Sequence, residues 1–162
     1  WSADITYIHT EKDGWTYLAS VEDLYSRKII GWAFGKTMDA ELAKKALKNA
    51  SLNVKKTKGI ILQTDLGSQY TSNIFEEYLA ELKIRHSYSR KGCPYDNSCI
   101  ESFHSILKKE EVNLKKYKDF KDAYNAIFEF IEAWYNRERI HSSLNYRTPD
   151  EVYSNLEKSL VA

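Results

Sequence analysis

Residues 3–35 read ADITYIHTEKDGWTYLASVEDLYSRKIIGWAFG, and the fold turns on whether this run makes strands or helices. β-Branched and aromatic side chains crowd 3–10 (ADITYIHT) and 15–22 (WTYLASVE). That composition suits a pleated, half-buried surface. Between the two runs, Asp13-Gly14 supplies the positive φ that a tight hairpin requires. A short turn at Ser26-Arg27 leads to a third strand, 28–35 (KIIGWAFG). Three strands joined by turns make an antiparallel meander.

Beyond the meander the apolar period changes. Asp39 offers an N-cap, and Leu42, Ala43, Ala46, Leu47 and Ala50 recur at helical spacing. GIILQT (59–64) is short and almost wholly apolar, as expected of a buried strand. A helix over 72–82 packs Phe75, Leu79 and Leu82, and a brief strand, IRHSY (84–88), follows. KGCPYDNSCIESFHSILKKE (91–110) reads as a loop entering an amphipathic helix, with Asp96 as its N-cap. A second long helix spans 120–136, with Phe120, Ala123, Ile127, Ile131 and Trp134 on one face. Pro149 suits the first turn of one more short helix. A meander followed by α-β-α-β and then helices is an α/β pattern, its sheet mixed because helical crossovers demand parallel neighbours.

Bulk properties agree with one globular domain over residues 1–162, 43% apolar and 29% charged. No apolar run approaches the ~18 residues that span a membrane. The abrupt opening without Met reads as a domain excised from a longer chain. Cys93 and Cys99 fit reduced cytosolic thiols better than a disulfide framework. A zinc set of His86, Cys93, Cys99 and His104 has spacings that match no standard finger. Net charge is +1, so charge alone announces no nucleic-acid partner, although lysines and arginines cluster around the 91–110 helix and near the end.

Three acidic residues stand in unusual settings. Asp4 lies inside a strand, where Asp packs poorly. Asp65 follows GIILQT directly, and carboxyl ends of strands in open α/β sheets are where ligands gather; read alone, an Asx turn aided by Gly67 explains it equally. On a helix at 100° per residue, Asn97, Glu101, His104 and Lys108 fall within an arc of about 60°. Such a stripe, taken alone, is a solvated face. Taken together, three carboxylates on separate elements can hold a pair of hard cations with one face open to a phosphate.

These residues carry a resemblance. WSADITYI with Asp4, DLYSRKIIGWAF, TDLGSQY with Asp65, KGCPYDNSCIESFHSILKKE with Glu101, and YNRERIHSSLNYRTPDE (135–151) together resemble the catalytic core of bacterial insertion-sequence transposases of the OrfB type. Those are relatives of retroviral integrases in the DDE superfamily. The resemblance implies a ribonuclease-H-like fold, a five-stranded mixed sheet flanked by helices. It implies that Asp4, Asp65 and Glu101 are catalytic and bind two Mg²⁺ or Mn²⁺ ions. The implied chemistry is cleavage at transposon ends and transfer of the 3′-hydroxyl into target DNA, on chromosomal or plasmid DNA in a bacterial cytoplasm. A homo-oligomer in the active nucleoprotein complex follows, as does an upstream helix-turn-helix region. Gln63-Thr64 stands where His-Ser is usual and Ser98 where Ala is common; neither touches a carboxylate. The alternatives are a structure-selective ribonuclease-H-like nuclease and an inactive core that binds DNA or a partner.

Lys108, two turns beyond Glu101, takes the position where the family keeps a basic residue facing the DNA end. Arg90 and Lys91, in the loop before the helix, are candidate phosphate contacts. Asn97, Gln69 and Tyr70 complete the candidate nucleic-acid surface, with core packing competing for Tyr70. His104 reads as an exposed histidine. Arg137, Arg139 and His141 either bind DNA or fix the C-terminal helix.

Overall fold

The structure, a computed structural model, describes residues 1–89 and 97–159. A long meander builds half of the sheet: β1 (Ser2–Thr10), β2 (Gly14–Glu22) and β3 (Ile29–Gly35). Thr10 pairs with Gly14, so Glu11–Asp13 form the connection. Of the expected Asp13-Gly14 pair only Gly14 takes positive φ (+71°); Asp13 instead uses its carboxylate, accepting from Phe120 N at 2.7 Å and pairing with Lys36 at 2.8 Å. At the second turn Arg27 adopts φ +62°, with Asp23 Oδ1 accepting from Ser26 N at 2.9 Å.

α1 (Ala40–Leu52) starts at Asp39, whose side chain accepts from Leu42 N. It packs very closely on β3: a Cβ on Gly31 would stand 2.3 Å from Ala50 N. β4 is shorter than expected, Ile61–Thr64, and Ile61 is exposed rather than buried. α2 (Asn73–Leu82), capped by Ser72, and β5 (Arg85–Tyr88) follow. The sheet order is β3-β2-β1-β4-β5, with β1–β4 and β4–β5 parallel and the meander antiparallel.

Alternation along the strands divides the core in two. Ala3, Ala19 and Val21 face α1 and α2, packing with Leu47, Leu62 and Phe75. Ile8 and Leu18 face the opposite layer, α3 (Ser98–Glu110) and α4 (Phe120–Glu129), with Ile100, Phe103, Leu107 and Ile127. Asn97, rather than Asp96, precedes the first residue of α3, and Asp96 lies outside the described residues.

α4 passes directly into a π-helical stretch, Phe130–Tyr135. The wider hydrogen-bonding step shifts the register, which overturns one expectation. Ile131 stays buried, but Phe130 and Tyr135 join it in the core while Trp134 is left 44% exposed. Just beyond, buried Asn136 clasps the start of β3: Ile29 N donates to Asn136 Oδ1 and Asn136 Nδ2 to Ile29 O, both at 3.0 Å. α5 (Pro149–Ser159) opens on a reciprocal cap, Thr148 N to Glu151 Oε2 at 2.8 Å and Glu151 N to Thr148 Oγ1 at 3.3 Å. No helix among the described residues is long and apolar enough to cross a membrane.

Candidate active site

β1 and β4 are neighbouring parallel strands whose chains then depart in opposite directions, β1 to β2 and β4 to β5. Ligands collect at such a divide, outside the carboxyl ends of the strands. The register sets Ser2 against Gln63; Asp4 lies two residues further along β1, and Asp65 two residues beyond Gln63, just past the end of β4.

The loop after β4 folds around Asp65. Gly67 N donates to Asp65 Oδ1 at 2.8 Å, the expected Asx turn, which fixes the carboxylate without removing it from the strand end. A side chain at 67 would collide with it: a Cβ there would lie 2.8 Å from Asp65 Oδ1 and 2.4 Å from Gln69 Nε2. The Gln69 carboxamide is thereby folded back against the Asp65 turn. Tyr70, a candidate for the nucleic-acid surface, is 1% exposed and set edge-on to Phe75 at 5.3 Å, so its ring is not available to a base. Burial, and then the charges of Asp4 and Asp65, raise the Tyr70 phenol well above its ordinary range, keeping it neutral beside the two carboxylates.

α3 reaches the pair through a residue expected to be exposed. His104 is 7% exposed, with Nε2 hydrogen-bonded to Ser20 Oγ at 3.1 Å and Nδ1 3.4 Å from Asp4 Oδ2. With Nδ1–H turned to the carboxylate, Nε2 accepts the Ser20 hydroxyl proton. Of the stripe expected from the helical angle, His104 turns into the seam between α3 and β1, while Glu101 stays exposed. Ser20, a hydroxyl inside the buried run of β2, is the partner that sequence reasoning missed.

Glu101 lies one turn before His104 on that stripe and is exposed. Asn97 is buried, its Oδ1 without a hydrogen-bond partner among the described residues, and so does not present itself to DNA. Two turns past Glu101, the Lys108 ammonium sits 4.2 Å from the centre of the Tyr7 ring. Arg90 and Lys91 lie outside the described residues.

Two arginines near the end of the chain, and Lys28, are held in ion pairs. Arg139 grips Glu110 through Nε (3.0 and 3.1 Å) and Nη2 (2.9 Å), and Trp134 Nε1 donates to the same carboxylate at 3.2 Å. Those contacts hold Glu110 below its ordinary range. Arg137 and Lys28 converge on Asp150, at 3.6 and 2.6 Å. The Asp150 pairs tie Arg137 and Lys28 to α5, and Arg139 ties the segment after α4 to α3.

Asp4 and Asp65 offer oxygen donors of the kind hard divalent cations take, half-buried at an open strand end. Among the described residues no three of His, Cys, Asp and Glu converge on one point. The zinc set is not assembled either. His86 is engaged by Glu76 (2.6 Å) and Thr64 (2.9 Å), His104 by Asp4 and Ser20, and Cys93 lies outside the described residues.

The sheet order, an aspartate at each side of its central divide and a helix tied to Asp4 are the arrangement of an integrase-type core. Sequence profiles of the integrase core domain match residues 1–94 and 82–149, and the chain belongs to that family. The transposase for insertion sequence element IS904 of Lactococcus lactis is 40% identical over 151 residues, covering 93% of this chain and 59% of that protein. Transposase InsF for insertion sequence IS3A of Escherichia coli is also 40% identical over 151 residues, 93% of this chain and 52% of that protein. The chain therefore spans little more than half the length of these relatives. Among solved structures, the HTLV-2 integrase catalytic core domain in complex with magnesium superimposes with a TM-score of 0.68 at 18% identity, over 94% of this chain and 93% of that one. The BIV integrase catalytic core domain gives 0.69 at 18% identity, over 100% and 97%. The five-stranded mixed sheet flanked by helices is thus the ribonuclease-H-like fold of those cores.

Proposed function

We propose that this chain is the catalytic core of an insertion-sequence transposase, a polynucleotidyl transferase that cuts DNA at the element's ends and joins the freed 3′-hydroxyl to target DNA. One observation carries the reading: Asp4 and Asp65 both lie at the β1–β4 divide, each two residues beyond the paired Ser2 and Gln63, with α3 tied to Asp4 through His104. Asp4, Asp65 and Glu101 are the residues that would hold two Mg²⁺ or Mn²⁺ ions. When bound, such ions activate the attacking oxygen and neutralise the charge that develops on the leaving oxygen.

The protein's own part is positioning and charge. Water attacks the scissile phosphorus in line and the 3′-oxygen departs; the resulting 3′-hydroxyl then attacks a target phosphate in the same way, with no enzyme-linked intermediate. The Asx turn holds Asp65 still and His104 fixes one oxygen of Asp4. Gln69, folded against the same turn, would donate an amide N–H to a phosphate oxygen. Lys108 offers its charge to the strand as it leaves the site. Glu101 is like-charged with the pair, and cations between them would remove that repulsion. Two element ends call for more than one copy in the working complex.

The test is Asp65→Asn, assayed with an oligonucleotide carrying a terminal repeat in Mg²⁺. Nicked and joined products are both expected to vanish, while the circular dichroism spectrum and the melting midpoint stay close to wild type. A fully active variant would overturn the assignment. Nicking without any joined product from the wild-type chain would favour the nuclease reading.

A further inference from the structure

The carboxylates occupy only one end of the seam between β1 and α3. At its other end lies a groove of about 590 Å³, between the edge of β1 and the segment after α3. Pairing of β1 with β4 is confined to the start of the strand, so among the described residues the β1 edge from Tyr7 to His9 has no neighbouring strand. A bridge from Thr10 to Tyr117 closes the far end. Two large aromatic side chains stand open here, Tyr7 and Trp15, each 56% exposed. Their rings meet edge to face at 5.1 Å, and His9 sets its ring against Trp15 at the same distance. Lys108, Lys115 and Lys116 line the groove with one carboxylate, Glu11, and Lys115 is also paired with Glu111 at 2.9 Å.

Exposed aromatic rings interleaved with ammonium groups are how single-stranded nucleic acid is bound without sequence reading: bases stack on the rings and phosphates meet the cations. The direction of the seam supplies an address. His104 touches Asp4 and Lys108 touches Tyr7, so α3 and β1 run the same way. Tyr7 lies about 10 Å from Asp4 along the strand, and Trp15, paired with His9, about 17 Å.

We propose that this groove binds unpaired DNA, with bases on Tyr7 and Trp15 and phosphates on Lys108, Lys115 and Lys116. The bound stretch is the strand within a few nucleotides of the reacting phosphate. That address rests on the transposase reading; the affinity of the groove for single strands does not.

The experiment is equilibrium binding by fluorescence anisotropy, in EDTA, of a short labelled oligothymidylate and of a blunt duplex of equal length. Trp15→Ala is expected to weaken single-strand binding about fivefold to a hundredfold and duplex binding far less. Trp15→Phe keeps a stacking face and stays near wild type, whereas Trp15→Leu, apolar but without one, binds as poorly as the alanine variant. This comparison holds even if truncation lowers stability, because phenylalanine and leucine fill similar space. Equal single-strand affinity of the phenylalanine and leucine variants overturns the proposal, as does polyglutamate displacing the oligonucleotide at matched charge. Binding read without metal separates the two ideas. A chain that holds single strands but never cuts fails only as a transposase; one that cuts and binds single strands equally well with Trp15→Leu fails only here.

Discussion

Glu22 ends β2 opposite Ser2, 1% exposed, with Oε2 lacking a hydrogen-bond partner among the described residues. Burial pushes its carboxyl up to about 8; Arg27 and the Trp1 amino group oppose the rise, and Asp23 adds to it. At neutral pH the folded protein therefore keeps a proton that the unfolded chain, near 4.5, has shed. Stability falls as pH rises between those values, by ~1.4 kcal/mol per pH unit for one proton. His141 works in the opposite sense. Its imidazole is lowered from 6.5 to about 4, first by burial and then by Arg139, so between those values the folded state holds fewer protons and stability rises with pH. The two slopes offset one another from about 4.5 to 6.5. Glu22 dominates from 6.5 to 8, where it should remove about 2 kcal/mol. The Trp1 amino group, lowered by its own burial, works against that loss near 8, so the quantity to read is a difference between proteins. Urea unfolding of wild type and Glu22→Gln at pH 5, 6.5, 8 and 9 supplies it. The gap in favour of the variant should widen by about 2 kcal/mol between pH 6.5 and 8 and level off above 8. Parallel curves for the two proteins across that window would refute the reasoning. The residue borders a small cavity of about 180 Å³ with Arg27, Cys99, Tyr135 and His141. Arg27 is hydrogen-bonded to Cys99, in the first turn of α3 that also carries Glu101, so this titration sits directly behind the candidate site.

Two further substitutions probe the site and its support. His104→Ala leaves Ser20 and Asp4 without their shared partner and should cost about 1–3 kcal/mol in urea unfolding; it should also loosen Mn²⁺ binding in calorimetric titration, and unchanged affinity would show that Asp4 holds its place unaided. Gly31→Ala drives a methyl to 2.3 Å from Ala50 N and 2.6 Å from Ala46 O, both backbone atoms that cannot swing aside. A loss of about 3 kcal/mol or more is expected, and a cost below 1 kcal/mol would mean that α1 lifts off β3 freely.

The meander was legible because three devices agree along it: β-branched composition, Gly14 at the hairpin and alternation onto two cores. Caps were legible for the same local reason, Asp39 through a hydrogen bond to the third residue beyond it and Pro149 through the first turn of its helix. Asp4 and Asp65 were singled out by their settings, and strand register, a long-range property, brought both to the same divide of the sheet. Periodicity gave the angle between Glu101 and His104 but not which way their arc looks, since a polar stripe reads alike whether water or a buried Ser20 lies in front of it. Tyr70 and Asn97 were misplaced on the surface because polar tips disguise buried side chains. Trp134 was misplaced because a π-helical step leaves no mark on a 3.6-residue pattern.

That wide step has a consequence for how the chain tolerates change. Each residue of an α-helix turns about 100°, so the extra residue carried within Phe130–Tyr135 rotates everything after it by roughly that angle. Asn136 reaches both backbone groups of Ile29 from this rotated position. Removing one residue from the segment would restore a regular helix and swing the carboxamide off β3, while exchanging Ile131 for another apolar residue would leave it in place. The stretch acts as a spacer counted in residues: its length is under tighter constraint than its spelling.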